Sequence, residues 1–136
     1  MLISKEELEA KGYPSHLNWV VIHPGMTGHT LNWDAKNYAQ FIHQFNESIP
    51  QDFLFLLSYT PGDMFYVKSF LQEWKNQRYE HLNRKLYQFD GSIKGLLHYM
   101  HILSQAKLFV GPSTGTTHIA NFLGVPVLTI YSPIAV

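Results

Sequence analysis

Six consecutive positions, Ser113-Thr114-Gly115-Thr116-Thr117-His118, set four hydroxyls, a glycine and an imidazole after an apolar run that ends in Gly111-Pro112. A segment of small residues follows, then Gly124 and a second apolar run. Small donors between a strand and a helix suit one chemistry above others. The first backbone N–H groups of a helix have no partner inside it, and the helix dipole favours negative charge there. Together they make a site for an anion such as a phosphate. Gly111 and Gly115 would allow close backbone approach and unusual dihedrals. The competing reading is that Ser and Thr only cap the helix, which is a much commoner use of these residues. Both readings stay open on the pattern alone, and His118 is either a donor to the anion or a packed helix histidine.

A second loop has the same character. Gly25, Met26, Thr27 and Gly28 follow the apolar run 18–23 and precede a helical pattern. The loop has no Gly-Lys-Ser/Thr, and no G-x-G-x-x-G occurs, so neither a Walker loop nor the usual dinucleotide fingerprint is present. A third loop, 59–63, ends on Asp63. That carboxylate could accept ribose hydroxyls or cap the helix after Pro61-Gly62. His23 stands at a strand end and is either structural or part of the site. His98 and His101 are three apart, a spacing that can ligate metal, but no cysteine and no third ligand accompany them. A helix face is the better reading for that pair, and Trp33 reads as a plug on the sheet.

The elements that must position these loops follow from apolar pattern. Runs at 18–23, 52–58, 85–89, 107–111 and 125–131 read as strands, apolar throughout rather than alternating. Helices are expected from Asp34 to Pro50 (stripe Ala35, Tyr38, Ile42, Phe45, Ile49), near 63–75, within 90–106 and over 116–123. Ser4, Glu7 and Gly12 mark a short N-terminal helix over 4–12. Residues 76–90 are the least legible. Strands covered on both faces and alternating with helices predict an α/β, Rossmann-like three-layer domain with a parallel sheet of about five strands. Ligands of such sheets bind beyond the carboxyl ends of the strands, where the strand order switches. All three loops leave carboxyl ends.

Composition narrows the field. The 136 residues suit one domain, 1–136, with its core over 18–133. Formal net charge is +0 with no dense basic run, which argues against a nucleic-acid partner. Zero cysteines exclude disulfides and thiolate zinc sites. No apolar run approaches the length of a membrane span, and the charged N-terminus lacks a signal-peptide core.

The spacings also resemble a known family. "VVIHPGMTGHTLNWDAKNYAQF" looks like the strand–loop–helix that opens the C-terminal domain of the ADP-heptose:lipopolysaccharide heptosyltransferases, glycosyltransferase family 9. "LFVGPSTGTTHIANFLGVPVLTIYSP" resembles that family's closing signature, Asp/Ser-Thr-Gly-x-x-His-x-Ala and then Gly-x-Pro. The resemblance spans about 18–133 and implies the C-terminal half of a GT-B fold, inverting transfer without bound metal or cofactor, a nucleotide-sugar donor and a cytoplasmic location, with peripheral contact at the inner membrane left open. It implies that Ser113, Thr114, Gly115, Thr116, Thr117 and His118 hold the diphosphate and sugar, with Gly25, Met26 and Thr27 opposite and Asp63 near the ribose. It implies that the catalytic base and the glycolipid acceptor belong to an N-terminal domain absent from this chain, which then reads as a donor-binding piece. Two positions depart from the pattern: Ser113 stands where the family often has Asp, and Leu31 where it commonly has Lys, with His29 or Lys36 as substitutes. Two alternatives are a non-catalytic nucleotide-binding module and another GT-B enzyme such as a sugar-nucleotide epimerase.

Overall fold

The computed structural model describes Ala10, residues 18–25 and residues 33–130. Five strands form one all-parallel sheet: β1 (Asn18–Ile22), β2 (Phe53–Tyr59), β3 (Leu86–Asp90), β4 (Leu108–Pro112) and β5 (Val127–Ile130), in the order β3-β2-β1-β4-β5. Between them run α1 (Ala35–Ser48), α2 (Met64–Asn76), α3 (Leu96–Ser104) and α4 (Gly115–Phe122). The chain goes outward from β1 to β3, returns across β1 to β4, and continues outward to β5. The order therefore switches between β1 and β4, which is where such a sheet leaves a crevice at its carboxyl edge. Ile22 is in register with Leu57 on one side and Val110 on the other.

The continuous apolar runs are explained by cover on both faces. Val20, Ile22, Phe55, Leu57 and Val110 pack under Tyr38 and Ile42 of α1 and Val67, Phe70 and Trp74 of α2. The alternate residues Trp19, Val21, Leu54, Leu56 and Phe109 pack under Tyr99, Ile102 and Leu103 of α3 and Ala120 of α4. Period-two alternation thus sorts each strand between two cores instead of between core and water. α1 stops where Ile49 turns extended ahead of Pro50.

The strands expected at 18–23, 52–58, 85–89, 107–111 and 125–131 all form, displaced by at most two residues at an end. The expected helix over 4–12 lies outside the described residues except for Ala10, which is helical. The illegible stretch 76–90 holds a 3-10 helix, Glu80–Lys85, that buries Leu82 and ties Asn83 to the Trp74 indole at 2.7 Å. Arg78 precedes it at φ 63°, a conformation that Gly or Asn would have signalled and Arg does not. Asp34 occupies the N-cap position of α1 without bonding to it through its side chain.

One steric fact sets the crevice. A Cβ on Gly111 would lie 2.7 Å from the carbonyl oxygen of His23. That neighbour is backbone of the adjacent strand and cannot swing aside. Gly111→Ala is expected to lower unfolding stability by about 1–3 kcal/mol, the range for overpacking a core, measured by urea denaturation. Wild-type stability in that variant would show that β1 and β4 do not meet so closely.

Candidate anion site at the sheet switch point

Three loops leave β1, β2 and β4 at the switch, and their inner residues touch. His23 follows β1 and is 3% exposed. Its Nδ1 is 3.1 Å from the Ser58 hydroxyl at the end of β2 and 3.4 Å from the Tyr99 hydroxyl on α3. Ser58 and Tyr99 are themselves hydrogen-bonded. The His23 ring stacks on Phe109 of β4 at 6.0 Å. Asp63 lies on the other side, with Oδ2 3.8 Å from His23 Nε2. Gly25 packs directly against that carboxylate: a Cβ there would stand 2.2 Å from Asp63 Oδ1. The loops after β1 and β2 thus meet beside β4 on a buried polar floor.

Asp63 does not cap α2. Its Oδ2 accepts from the backbone N–H of Thr60 at 2.9 Å and from the Thr60 hydroxyl at 3.1 Å. That closes the one-turn 3-10 helix Pro61–Asp63. Asp63 is 5% exposed, so it braces two loops here rather than presenting a free carboxylate.

α4 opens at the mouth of the crevice. Thr114 is its N-cap residue in extended conformation, and its side chain makes no capping bond. The Thr114 hydroxyl lies 3.5 Å from that of Thr117. Thr117 is buried and donates to the Pro112 carbonyl, so its hydroxyl is committed within the loop. The first backbone bond of the helix runs from His118 N–H to Thr114 carbonyl at 3.1 Å. The N–H groups of Gly115, Thr116 and Thr117 precede it and have no carbonyl to meet inside the helix. The capping reading of this run therefore fails for Thr114 and Thr117, and the anion reading keeps its donors.

Gly115 differs from the expectation drawn for it. Its φ is not positive, and a Cβ there would meet nothing within 4 Å. It leaves empty space over the helix end instead of relieving a contact. His118 is the fourth residue of α4, exposed, and lines a recess of about 310 Å³ with Asn121 and Thr129 towards β5. Thr116 is half-buried in the first turn of α4. Ser113 is half-buried at the end of β4. Met26 and Thr27, expected on the opposite wall, lie outside the described residues, as do His29 and Leu31.

Ser58 and Tyr99 join the site without having been expected there. Ser58 had a signal, as the one hydroxyl in the run "FLFLLS" and at its carboxyl end. Equally unforeseen is a recess of about 250 Å³ at the ends of β2 and β3, lined by Tyr59, Phe89, Asp90, Ile93 and Lys94. Trp33 does plug the helix side of the sheet, edge-on to Tyr38 at 5.5 Å. Among the described residues, no three His, Cys, Asp or Glu side chains stand together as metal ligands, and no helix is long and apolar enough to cross a membrane.

Burial dominates the electrostatics of the floor. It lowers the His23 pKa to about 4, against the weaker raising effects of Asp63 and Ser58. At 3.8 Å, and with Asp63 already accepting twice from Thr60, the carboxylate does not compensate the desolvation of an imidazolium. His23 is neutral near pH 7. The unfolded chain binds this proton below about pH 6.5 and the folded chain only below about 4. Stability from this group is therefore complete above pH 6.5 and declines as pH falls towards 4. The loss reaches up to about 3 kcal/mol, since each tenfold change in proton affinity is worth about 1.4 kcal/mol. Ring-nitrogen NMR of His23 should report a neutral imidazole at pH 5.5. A charged ring at that pH would contradict the buried placement.

Comparison with known proteins adds family and fold. Residues 72–135 match the family model for glycosyltransferase family 9 (heptosyltransferase). Among solved structures the chain is similar to ADP-heptose LPS heptosyltransferase II of E. coli, at 17% identity and TM-score 0.73, over 99% of this chain and 40% of that one. It is similar to a family 9 glycosyl transferase of Veillonella parvula at 16% identity and TM-score 0.72, over 99% and 37%. It is also similar to the E. coli heptosyltransferase WaaC solved with ADP, at 18% identity and TM-score 0.63, over 93% and 38%. The chain thus spans 37–40% of the length of these proteins. No curated protein matches it. Over residues 72–135 the chain carries the sequence pattern of glycosyltransferase family 9, and its described sheet and helices have the fold of a GT-B heptosyltransferase domain.

Proposed function

We propose that this chain is the donor-binding domain of an inverting glycosyltransferase, holding the diphosphate of a nucleotide sugar, ADP-heptose first among them, at the open N-terminus of α4. The observation that carries the proposal is the set of uncapped N–H groups at Gly115, Thr116 and Thr117, at the mouth of the crevice between β1 and β4. Support comes from similar structures solved with ADP and with ADP-2-deoxy-2-fluoro heptose.

In such a reaction an acceptor hydroxyl attacks the anomeric carbon while the bond from that carbon to the diphosphate oxygen breaks. Negative charge grows on the departing diphosphate. Fixed N–H dipoles aimed at that charge stabilise it without reorganising as it forms. Gly115 keeps the approach clear, and the Ser113 and Thr114 hydroxyls and the His118 ring flank it as donors. The nucleoside would extend towards β2 and β3, where the recess bounded by Phe89, Asp90 and Ile93 has room for planar and hydroxylated groups. Asp63 then acts through the loop it braces, against which Gly25 packs. The base that deprotonates the acceptor, and the glycolipid acceptor itself, are assigned to the part of the enzyme outside this chain. Nothing in the site requires a metal, because the helix end supplies the electrostatic partner for the diphosphate.

Titrating the chain with ADP, UDP and GDP should shift the amide resonances of Gly115 to His118 for at least one of them. Unmoved amides with all three would refute the site. Gly115→Glu provides the complementary test. The open space at Gly115 accepts the side chain, and a carboxylate in the first turn suits the helix dipole by about 0.3–1 kcal/mol. The variant should melt at or slightly above the wild-type temperature and bind nucleoside diphosphate at least about tenfold more weakly, since like charges would share one set of donors. Undiminished binding would place the diphosphate elsewhere.

A further inference from the structure

α3 and the loop that leads into it present an apolar face to solvent. Leu96 and Leu97 open the helix and Ile93 stands just before it; they are 59%, 75% and 75% exposed. Tyr99, Ile102 and Leu103 take the inner side of the same helix and pack on the sheet. The nine residues of α3, "LLHYMHILS", include no Asp, Glu, Lys or Arg. A helix with so little charge is ordinarily covered all round, yet this one is covered on one side. Its exposed residues do not hang from a slack loop. Asp90 accepts from the Ser92 N–H at 2.8 Å and from the Ser92 hydroxyl at 2.7 Å, which closes the turn after β3. Gly91 passes so near Tyr99 that a Cβ would stand 2.6 Å from the ring, and Gly95 turns the chain into α3 at φ 85°. Three large apolar side chains on a braced tip make the kind of patch that marks a partner.

Charge says which kind of partner. All 10 Asp and Glu of the chain lie at or before Asp90, whereas Lys94, amid the patch, and Lys107, just past α3, follow it. Both lysines are exposed. Asp90, which shares the neighbouring recess with Lys94, is half-buried and engaged with Ser92. A second copy docked through the same face would bring the same lysines and no carboxylate to meet them. A bilayer with anionic headgroups supplies both halves of the match: hydrocarbon for the apolar side chains and negative charge for the lysine. We propose that residues 93–97, Ile93-Lys94-Gly95-Leu96-Leu97, are a membrane-docking tip. Ile93, Leu96 and Leu97 enter the outer edge of the hydrocarbon, and Lys94 stays among the headgroups. The tip follows β3, so docking holds the carboxyl edge of the sheet beside the lipid surface. The proposal uses neither α4 nor the crevice and stands apart from the donor-site reading.

Flotation of the 136-residue chain with unilamellar vesicles is the test. The chain should rise with vesicles of phosphatidylcholine and phosphatidylglycerol in equal parts and stay below with phosphatidylcholine alone. Binding to the mixed vesicles should fall as salt is added. The pair Leu96→Ser and Leu97→Ser should weaken it at least about tenfold, the least that withdrawing one large apolar side chain from hydrocarbon is worth. Lys94→Gln should weaken it by about fivefold, the value of one lysine near an anionic surface. All three side chains are exposed, so both variants should melt with the wild type, and Lys94→Gln decides the matter if the serine pair melts early. A wild-type chain that does not float with the mixed vesicles would overturn the proposal. So would equal flotation with phosphatidylcholine alone, or full binding by folded variants. A wild-type dimer that the serine pair splits, without flotation, would give the face to a second copy and overturn it as well.

Discussion

The two central strands run so close at their carboxyl ends that Gly111 has no room for a Cβ beneath the His23 carbonyl. Much else at this end of the domain follows from that contact. It brings the start of the loop after β1 against the end of β4, and Gly25 brings the same loop onto Asp63 of the β2 loop. The floor of the crevice is therefore main chain together with the buried His23, Ser58 and Tyr99 side chains. α4 starts from this floor, and its first N–H groups face a space that Gly115 leaves empty. A crevice built this way can admit a group as wide as a diphosphate close to the main chain, where backbone donors reach it.

The hydroxyls of the Ser-Thr-Gly-Thr-Thr run divide by job. Thr117 is spent on Pro112. Ser113 and Thr114 remain nearer the opening. Buried His23 adds no positive charge, because desolvation keeps it neutral. In the proposed donor site the attraction for a diphosphate would come from oriented N–H dipoles at the start of α4.

Much of this architecture was legible because both sheet faces are covered. Continuous apolar runs such as "NWVVI" and "FLFLL" announced parallel strands, and the α1 stripe placed its helix to within a residue. At 113–118 capping and ligand binding share one residue pattern, so the sequence could not say that Thr114 makes no capping bond and that Thr117 turns to the Pro112 carbonyl. Gly111 and Gly115 look alike in sequence, but one is required by a backbone contact and the other by open space. Asp34 and Asp63 both sit at N-cap positions without capping, since position alone does not say where a carboxylate turns. Tyr99 was hidden because its partners lie 41 and 76 residues away, and within its helix it reads as ordinary core.

The central claim is that the N-terminus of α4 grips a nucleoside diphosphate. A crystal structure of the chain soaked with ADP tests it most directly. Phosphate oxygens are expected about 2.7–3.2 Å from the backbone nitrogens of Gly115, Thr116 and Thr117, the ordinary range for such bonds. A diphosphate bound away from α4, or a crevice that stays free of nucleotide at saturating ADP, would contradict it.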